Sequence, residues 1–384
     1  VEPVGVVAPL DAHDVAVAVE VCRHHGVPIT ARGAASSLVG QVLGDGVILD
    51  FTVHMNRLLR VEEGAVWVQP GVICDAVNSA LAPLGRWFPP DPSSSGYCTI
   101  GGMVANNSSG SHSVKYGATI DYVEELDVVL SDGTTAHFRA VELDGAAWRR
   151  LTGSESREAQ LHQAMRVLLE RNRRLILDHQ PRARKNTCGY RLERALEGRT
   201  LNLSKVVCGS EGTLALVVAA RLRPVALPRA RRVVVFHFAD IGAAGRAVVE
   251  LLALGPSAIE IHEGNALEII REGRPDLRDV LPEPGESQLF VEFDGESEAE
   301  VGDLVGRARA RVVEDLRLAV RALEPREGSE VERLWAVRKA TLPLLYRRPG
   351  PRQIVPCIED VVVPPERIPE FLGRLYEVFA RHGV

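Results

Sequence analysis

The sequence lacks several patterns that would assign a function at once. No apolar stretch among the 384 residues reaches the roughly 18 positions that a transmembrane helix needs. The six cysteines stand singly, so no CxxC pair indicates a zinc or iron–sulfur site, and no metal site is expected. We expect a cytoplasmic protein with free, buried thiols, because the first residues do not resemble a secretory leader.

Two phosphate-binding motifs are also missing. The sequence contains no GxxxxGK[ST], which excludes a P-loop, and no GxGxxG at a strand-to-helix turn, which excludes that kind of dinucleotide fold. The formal net charge of −6 argues against a general nucleic-acid-binding protein. What is present is ordinary for a globular protein: 46% hydrophobic and 25% charged residues, in a chain long enough for two domains.

The first part of the chain reads as short strands and helices with one long irregular region. Asp11 is placed to cap a helix that runs to His25 and is ended by Gly26. Residues 85–117 are too rich in Gly, Pro, Ser and Asn for regular elements, but their apolar residues argue against disorder. Residues 205–224 are predicted to form a strand, a Gly-rich turn and a long strand ending at Pro224.

The character of the sequence changes near residue 228. Strands predicted at "RVVVFHF", "SAIEIHEG", "QLFVEFDG", "RLAVRAL" and "CIEDVVVP" alternate with helices that begin at Asp240, Glu296 and Ser329. This alternation indicates a separate α+β domain with helices on one sheet face. A last helix, from about Pro365 to His382, is followed by Gly383 as its C-cap.

Three turns of small residues need a common explanation: 32–40, 99–110 and 209–213. A backbone can approach a ligand closely only where side chains are absent, and its N–H groups can then bind anionic oxygens. Several such loops in one domain predict a large cofactor that carries a diphosphate.

At these loops the sequence resembles the vanillyl-alcohol-oxidase/PCMH-type flavoproteins, and within them the D-lactate, glycolate and D-2-hydroxyglutarate dehydrogenase branch. The resemblance rests on "PITARGAASSLVG", "FPPDPSSSGYCTIGGMVANNSSGSHSVKYG", "KNTCGYRL", "KVVCGSEGTLALVVAARLRP", "LWAVRKATLPLL" and "IEDVVVPPERIPEF". It implies an α+β fold: a PCMH-type FAD-binding domain of two α+β subdomains at 1–228, then a cap domain at 229–384 with an antiparallel sheet covered by helices. The implied cap domain is expected to be incomplete.

The resemblance also implies which residues hold the FAD. The first loop contributes Arg32, Gly33, Ala34, Ala35, Ser36 and Ser37. The second loop contributes Pro90, Asp91, Ser95, Thr99, Gly101, Gly102, Asn106, Ser109 and Gly110, and the third contributes Gly209, Glu211, Gly212 and Thr213. Relatives commonly have glycine where Ala34 and Ala35 stand, and we expect both alanines to avoid positive φ.

The FAD is expected to be bound without a covalent link. Some relatives attach the flavin through a histidine in the first loop and a cysteine near the second. Ser36 occupies that histidine position here, and Cys98 lacks the spacing that those relatives use.

The implied reaction is oxidation of a small 2-hydroxy acid, with hydride transfer to the flavin and an unknown final electron acceptor. Arg338 matches the branch's arginine for the substrate carboxylate. The branch's catalytic and metal-binding histidines lie in a GHxGDGNxH segment that would begin where this sequence stops. His112 and His262 are the remaining candidates for a base, each better explained as structural, so no catalytic base is assigned.

Two other functions stay open. The chain could be a cofactor-carrying module that is inactive without a further segment or a partner chain. It could also be an alcohol or alditol oxidase on the same fold. The stretch "CIEDVVVPPE" further resembles long relatives with an iron–sulfur domain after the cap, which by analogy alone would place further ligands beyond this sequence.

Overall fold

A computed structural model describes residues 2–181, 183, 186–283, 286–325, 328–346 and 361–383. The chain divides into two compact units. Unit 1 comprises Val1–Gly110, Gly117–Arg182 and Asn186–Leu227; unit 2 comprises Ser111–Tyr116, Ala183–Lys185 and Pro228–Val384.

Up to residue 226 the elements are, in chain order, β1 (Gly5–Val7), α1 (Ala12–His25), β2 (Ile29–Arg32), β3 (Val47–Asp50), β4 (Leu58–Val61), β5 (Val66–Val68), α2 (Cys74–Leu81), β6 (Arg86–Trp87), α3 (Ile100–Asn106), α4 (Ser113–Tyr116), β7 (Val123–Val129), β8 (Thr135–Phe138), β9 (Ala140–Glu142), α5 (Ala146–Thr152), α6 (Arg157–His179), β10 (Leu196–Glu197), β11 (Thr200–Asn202), α7 (Ser204–Val207), β12 (Leu216–Leu222) and β13 (Val225–Ala226). The remaining elements are β14 (Ala230–Phe238), α8 (Ile241–Leu252), β15 (Ala258–His262), α9 (Gly264–Gly273), β16 (Ser287–Gly295), α10 (Glu298–Arg309), β17 (Arg321–Leu323), α11 (Gly328–Tyr346) and α12 (Ile368–His382).

The first helix of unit 1 ends where its capping residues predict. The Asp11 side chain accepts from the backbone N–H groups of His13 and Asp14, and Gly26 closes α1 in the left-handed conformation at φ +66°. Val15 and Val19 of α1 are buried against Leu49 of β3. The strands β1, β3 and β2 pair in parallel, which agrees with a helix that crosses over between β1 and β2.

The second sheet of unit 1 is antiparallel, with the strand order β4-β5-β12-β7-β8. Its central strand β12 is the long strand predicted before Pro224. The strand predicted at residue 205 is wrong: Ser204–Val207 is the short helix α7, with buried Ser204 held by Asn202 at 2.6 Å. An apolar run this short does not distinguish a buried strand from a buried helical turn.

The region predicted to be irregular contains a helix. Residues Ile100–Asn106 form α3, capped by the Thr99 side chain, and Ile100, Met103 and Val104 are buried. Its two glycines weaken the helical pattern in the sequence. Burial of three apolar side chains stabilises the helix nevertheless.

Unit 2 contains an antiparallel sheet with the order β15-β16-β14-β17. One face, which we call the apolar face, carries Val234, Phe236, Leu289, Val291 and Phe293 and packs on α8 and α10. Helix α12 in turn packs on α8 and ends at Gly383 in the left-handed conformation, as predicted. The first half of the predicted strand at "CIEDVVVP" lies outside the described residues, and 361–364 have no regular structure.

The other face of this sheet, which we call the polar face, carries a different set of side chains. Val233, Val235 and Phe290 pack on Leu334 of α11, but Glu260, Gln288, Glu292 and Asp294 share this face. Gln288, Glu292 and Asp294 are each at most 5% exposed. A buried polar face needs partners, and these lead to the candidate site.

Candidate functional site

The first loop of unit 1 begins where β2 ends at Arg32. A Cβ atom added to Gly33 would lie 2.1 Å from the Thr99 hydroxyl oxygen, so the first and second loops are in contact. Ser37 donates a hydrogen bond to Gln41, while the structure gives the Ser36 hydroxyl no hydrogen bond among the described residues. The first loop therefore keeps its small residues partly for contact within the protein.

The expectation for the two alanines is wrong at Ala35. Its φ is +54°, in the left-handed region, whereas Ala34 is not among the residues with positive φ. The turn after β2 requires one left-handed residue, and an alanine pays for it with a strain of about 1 kcal/mol. A methyl group is the smallest side chain that can be placed there.

The glycines of the second loop fall into two kinds. A Cβ atom on Gly101 would lie 2.6 Å from Pro70, and one on Gly110 would lie 2.1 Å from the Asp91 carbonyl oxygen. Gly102 differs, because its nearest contact would be the Thr99 hydroxyl oxygen at 3.4 Å. Packing within the chain explains the first two glycines but leaves Gly102 facing open space, where a ligand could approach.

The other predicted residues of the second loop surround α3. Thr99 is its N-cap and accepts from the Gly102 N–H at 3.3 Å, and Asn106 is its last residue. The Pro90 carbonyl accepts from the Cys74 thiol and the Ser95 carbonyl from the Asp75 N–H. Ser109 lies between α3 and the end of the loop. Asn107, absent from the predicted set, is fully buried at φ +49°, and its side chain accepts from the Ile120 N–H at 2.9 Å.

The third loop is hydrogen-bonded to the second. The N–H groups of Gly209 and Glu211 donate to the carbonyls of Val104 and Ala105, at 2.8 and 2.9 Å. Gly209, Glu211 and Gly212 all have positive φ, and the Thr213 hydroxyl bonds to Ser210 and Tyr190. All three small-residue loops thus meet around α3. Their small side chains and the open space at Gly102 fit a cofactor that lies against backbone.

The predicted substrate residue, Arg338, lies on α11 and faces the polar face of the sheet. Its Nε donates to Glu260 Oε2 at 2.6 Å, and its guanidinium lies 5.8 Å from the centre of the Trp335 ring. The side chain is 13% exposed. Among the described residues, nothing bonds to its two terminal nitrogens, which are the pair that can hold a carboxylate through two hydrogen bonds.

The chain segment directly after the second loop belongs to unit 2. Ser111 donates to Glu260 Oε1 at 2.6 Å, so one carboxylate holds both Ser111 and Arg338. Lys115 and Tyr116 both bond to Asp294. Serine, lysine and tyrosine within six residues therefore partner the acidic residues of the polar face.

His112 is in the same segment, and only 6% of this residue is exposed to solvent. Its Nε2 lies 2.8 Å from Glu292 Oε1, which also accepts from the Ser257 hydroxyl at 2.9 Å. The imidazole stacks on Trp335 with a centroid separation of 5.9 Å. This arrangement is that of a structural histidine whose ring is held on two sides.

His262, the other candidate base, ends β15. Its Nε2 is 3.9 Å from Glu260 Oε2, beyond hydrogen-bond distance, and its Nδ1 is buried with no hydrogen-bond partner among the described residues. Burial lowers the pKa of His262, so the ring is neutral at pH 7. A neutral imidazole near the Arg338–Glu260 pair can accept a proton, but the geometry gives it no direct contact with that pair.

The thiols and the possible metal ligands can be followed through the described residues. Cys22, Cys74, Cys98 and Cys208 are free and buried, but Cys188 is free and exposed, contrary to the expectation of burial, and Cys357 lies outside the described residues. Across the described ranges, no group of three His, Cys, Asp or Glu side chains could hold a metal ion. No helix in the described part of the chain is long and apolar enough to cross a membrane.

Comparison with known proteins matches both parts of the chain. Residues 3–139 match the family described as FAD binding domain, and residues 227–384 match the family described as FAD linked oxidases, C-terminal domain. The proteins named D-2-hydroxyglutarate dehydrogenase from Pseudomonas putida and Escherichia coli are 32% and 30% identical over the whole chain. The glycolate oxidase subunit GlcD of Bacillus subtilis is 27% identical over the whole chain.

The chain spans 39% of the length of the first two relatives and 69% of the third. A solved structure of alkyldihydroxyacetonephosphate synthase aligns over 89% of this chain and 55% of its own, with a TM-score of 0.59 and 19% identity. That likeness shows the fold alone. Together these matches confirm the resemblance, the α+β fold class and FAD as the cofactor.

Proposed function

Since residues 3–139 match an FAD-binding domain family and residues 227–384 match the C-terminal domain of FAD-linked oxidases, we propose that the chain carries the FAD-binding and substrate-binding parts of a dehydrogenase for D-2-hydroxy acids. We assign residues 1–228 to FAD binding and 229–384 to substrate recognition. The names of the first two relatives make D-2-hydroxyglutarate the first substrate to test, followed by D-lactate and glycolate.

The arrangement of Arg338 carries this proposal. A 2-hydroxy acid needs a fixed cation for its carboxylate, and a guanidinium whose Nε is already held presents its two terminal nitrogens in one direction. Glu260 holds that Nε at 2.6 Å and is itself held by Ser111. The pair fixes the guanidinium before substrate arrives, which reduces the entropy lost on binding.

The three loops of unit 1 supply the cofactor's binding surface. Backbone N–H groups of these loops are suited to bind the diphosphate. The loop residues are Arg32–Ser37, the predicted second-loop residues between Pro90 and Gly110, and Gly209–Thr213. These residues would hold FAD, which would supply the hydride acceptor for oxidation of the substrate at C2. We propose that it is held without a covalent bond, because Ser36 offers no imidazole and Cys98 is buried beside Cys74.

Arg338→Met tests the substrate role. The measurement is anaerobic bleaching of the flavin's visible absorbance by D-2-hydroxyglutarate, D-lactate or glycolate. The kcat/KM for this bleaching should fall at least 100-fold, because the substitution removes the charged group that can bind the carboxylate through two hydrogen bonds. Arg333→Met on the same helix is the matched control, because Arg333 pairs with Asp279 at the surface. Equal losses in both variants would contradict the assignment.

Gly102→Ala tests the cofactor surface. The added methyl meets no backbone, and alanine favours the interior of α3, so the free energy of unfolding should stay the same or rise. FAD affinity, measured by equilibrium dialysis, should fall at least 10-fold if the cofactor lies against this glycine. Unchanged affinity would remove Gly102 from the cofactor surface.

The same measurements separate the two other functions. Tight FAD binding with no bleaching by any 2-hydroxy acid would favour a cofactor-carrying module. Bleaching by polyols that survives Arg338→Met would favour an alditol oxidase. Flavin that stays with the protein after acid precipitation would contradict non-covalent binding.

A further inference from the structure

A row of four polar side chains crosses the polar face of the unit 2 sheet next to Glu260. The register pairs His262 with Gln288, Gln288 with His237, and His237 with Arg321, across β15, β16, β14 and β17. Paired residues of an antiparallel sheet project to the same face with their Cβ atoms about 5 Å apart. One residue from each strand therefore contributes to a single row.

The centre of this row is buried, and several of its polar atoms have no hydrogen-bond partner among the described residues. His237 and Gln288 are 0% exposed. The atoms concerned are His237 Nδ1 and Nε2, Gln288 Oε1 and Nε2, and His262 Nδ1. Each buried, unpaired polar group costs about 1–3 kcal/mol, and native proteins satisfy such groups with water when side chains cannot. Five such atoms in one row would together cost too much free energy without hydrogen bonds, so we expect water to bind them.

Each end of the row meets a charged pair. At one end, His262 Nε2 is 3.9 Å from Glu260 Oε2, which binds Arg338. At the other end, His237 Nδ1 is 3.7 Å from Glu286 Oε2, which lies 3.2 Å from Arg321, a residue 37% exposed. Both gaps are too long for a hydrogen bond and short enough for a bridging contact through one water. The row thus leads from a partly buried pair, in which Arg338 is 13% exposed, to Arg321 at the surface.

The chemistry of the row favours water over an ion. Burial lowers the pKa of His237 to about 4 and also lowers the pKa of His262, so both rings are neutral at pH 7. Each neutral ring offers one donor and one acceptor, and the amide of Gln288 offers two N–H donors and a carbonyl acceptor. The carboxylates Glu260 and Glu286 at the two ends disfavour an anion. Small neutral molecules that donate and accept, such as water, match this pattern.

We propose that His262, Gln288 and His237 bind a file of water molecules that connects the Arg338–Glu260 pair with solvent at Glu286. The functional consequence rests on the proposed function. In oxidation of a 2-hydroxy acid, the hydrogen of C2 leaves with two electrons as hydride, and the hydroxyl hydrogen leaves as a proton. The file gives that proton a path from the substrate carboxylate site to the buffer.

Two substitutions and their combination test the water without any substrate. If water is shared between the side chains, His237→Phe and Gln288→Met each lower the Tm by about 2–4 °C. The double variant then loses less than the sum, because the first substitution already releases the shared water. A dry row predicts the opposite sign: each apolar replacement removes an unpaired polar group and raises the Tm. That outcome would overturn the proposal.

A second, direct measurement covers a variant that fails to fold. In protein labelled with ¹⁵N-histidine, the ring N–H of His237 should exchange magnetisation with water, and Gln288→Met should weaken that transfer severalfold. A His237 ring with no water contact overturns the proposal. Both experiments use the protein without substrate, so their failure is distinct from failure of the 2-hydroxy acid assignment.

The proton path is tested in a single turnover with a pH-indicator dye in weak buffer. Proton release and flavin bleaching should coincide in the unaltered protein, whereas release in His237→Phe should lag at least threefold. Release that keeps pace with bleaching in the variant would overturn the path. The flavin affinity of this variant should be unchanged, since His237 lies in unit 2 on β14.

Discussion

The two candidate sites of this protein are built in opposite ways. Around α3 in unit 1, the loops are defined by what side chains lack: Gly102 faces open space and Ala35 carries only a methyl. On the polar face of unit 2, the site is defined by full-sized charged side chains, such as Glu260 and Glu292, that bond to partners far away in sequence. The first kind of site depends on backbone shape, and the second depends on register and charge.

The largest expected effect comes from removing Glu292, a buried carboxylate of the charged site on the polar face. Glu292→Ala leaves the His112 ring and the Ser257 hydroxyl without their partner in a buried location. We expect the free energy of unfolding to fall by about 3 kcal/mol, measured by urea denaturation. Ser257→Ala, which removes one of the two bonds, should cost about 1.5 kcal/mol. Equal costs for the two variants would mean that His112 does not depend on Glu292.

A smaller effect is expected when a methyl group is added to the small-residue loops around α3, which we call the shape-defined site. The methyl of Gly110→Ala would lie 2.1 Å from the Asp91 backbone oxygen, which no rotamer change can relieve. We expect a loss of about 2 kcal/mol in the free energy of unfolding, because backbone must shift. Gly102→Ala, which has room for its methyl, is the matched control. A stable Gly110→Ala variant would show that the contact between this glycine and Asp91 is not required.

The shape-defined site could largely be located from the sequence, because its signal is local. Clusters of Gly, Ser and Ala mark the three loops directly, and Asp11 and Gly26 mark the ends of α1. Helix α3 could not be predicted from composition, because its two adjacent glycines weaken the helical pattern. Three buried apolar residues stabilise this helix in the structure. The left-handed conformation of Ala35 could not be predicted either, because it follows from the turn and not from the residue type.

The charged site on the polar face of unit 2 was largely missed, apart from Arg338 and the two candidate bases His112 and His262, because its acidic residues meet their partners only through strand register. Gln288, Glu292 and Asp294 occupy alternate positions of β16, a pattern that from sequence predicts a strand with one solvent-facing side. The structure instead buries all three, and Glu292 and Asp294 bond to His112 and Lys115 of the segment 111–116. That pattern, combined with "SHSVKY" directly after a cofactor loop, is the one signal that could have suggested the pairing.

The pH dependence of stability sharpens the difference between the sites. Burial lowers the pKa of His237 to about 4, below the ordinary value of 6.5. Between pH 6.5 and 4 the unfolded chain binds a proton at this histidine and the folded chain does not. As the pH is lowered through that window, the free energy of unfolding should therefore fall by about 1.4 kcal/mol for each pH unit. The stabilisation contributed by neutral His237 is fully present above pH 6.5.

The measurement compares urea denaturation of the unaltered protein and His237→Phe at several pH values, so that other titrating groups cancel. The difference between the two proteins should change with pH only between 6.5 and 4. A constant difference would mean that His237 titrates alike in the folded and unfolded chain. No comparable window is expected for substitutions at Gly102 or Ala35, which carry no titratable group.

The smallest expected effect comes from the neighbouring alanines of the first loop, and it depends on sign more than on size. At Ala35, with φ +54°, glycine relieves backbone strain that exceeds the extra chain entropy of the unfolded state. Ala35→Gly should raise the free energy of unfolding by about 0.5 kcal/mol. Ala34 has no positive φ, so Ala34→Gly brings only the entropic cost and should lower that free energy by about 0.5–1 kcal/mol. The two substitutions are chemically identical and adjacent, so opposite signs can arise only from backbone conformation. A loss of stability in both variants would mean that Ala35 is not held in the left-handed conformation. The small residues of the first loop would then be explained by ligand binding alone.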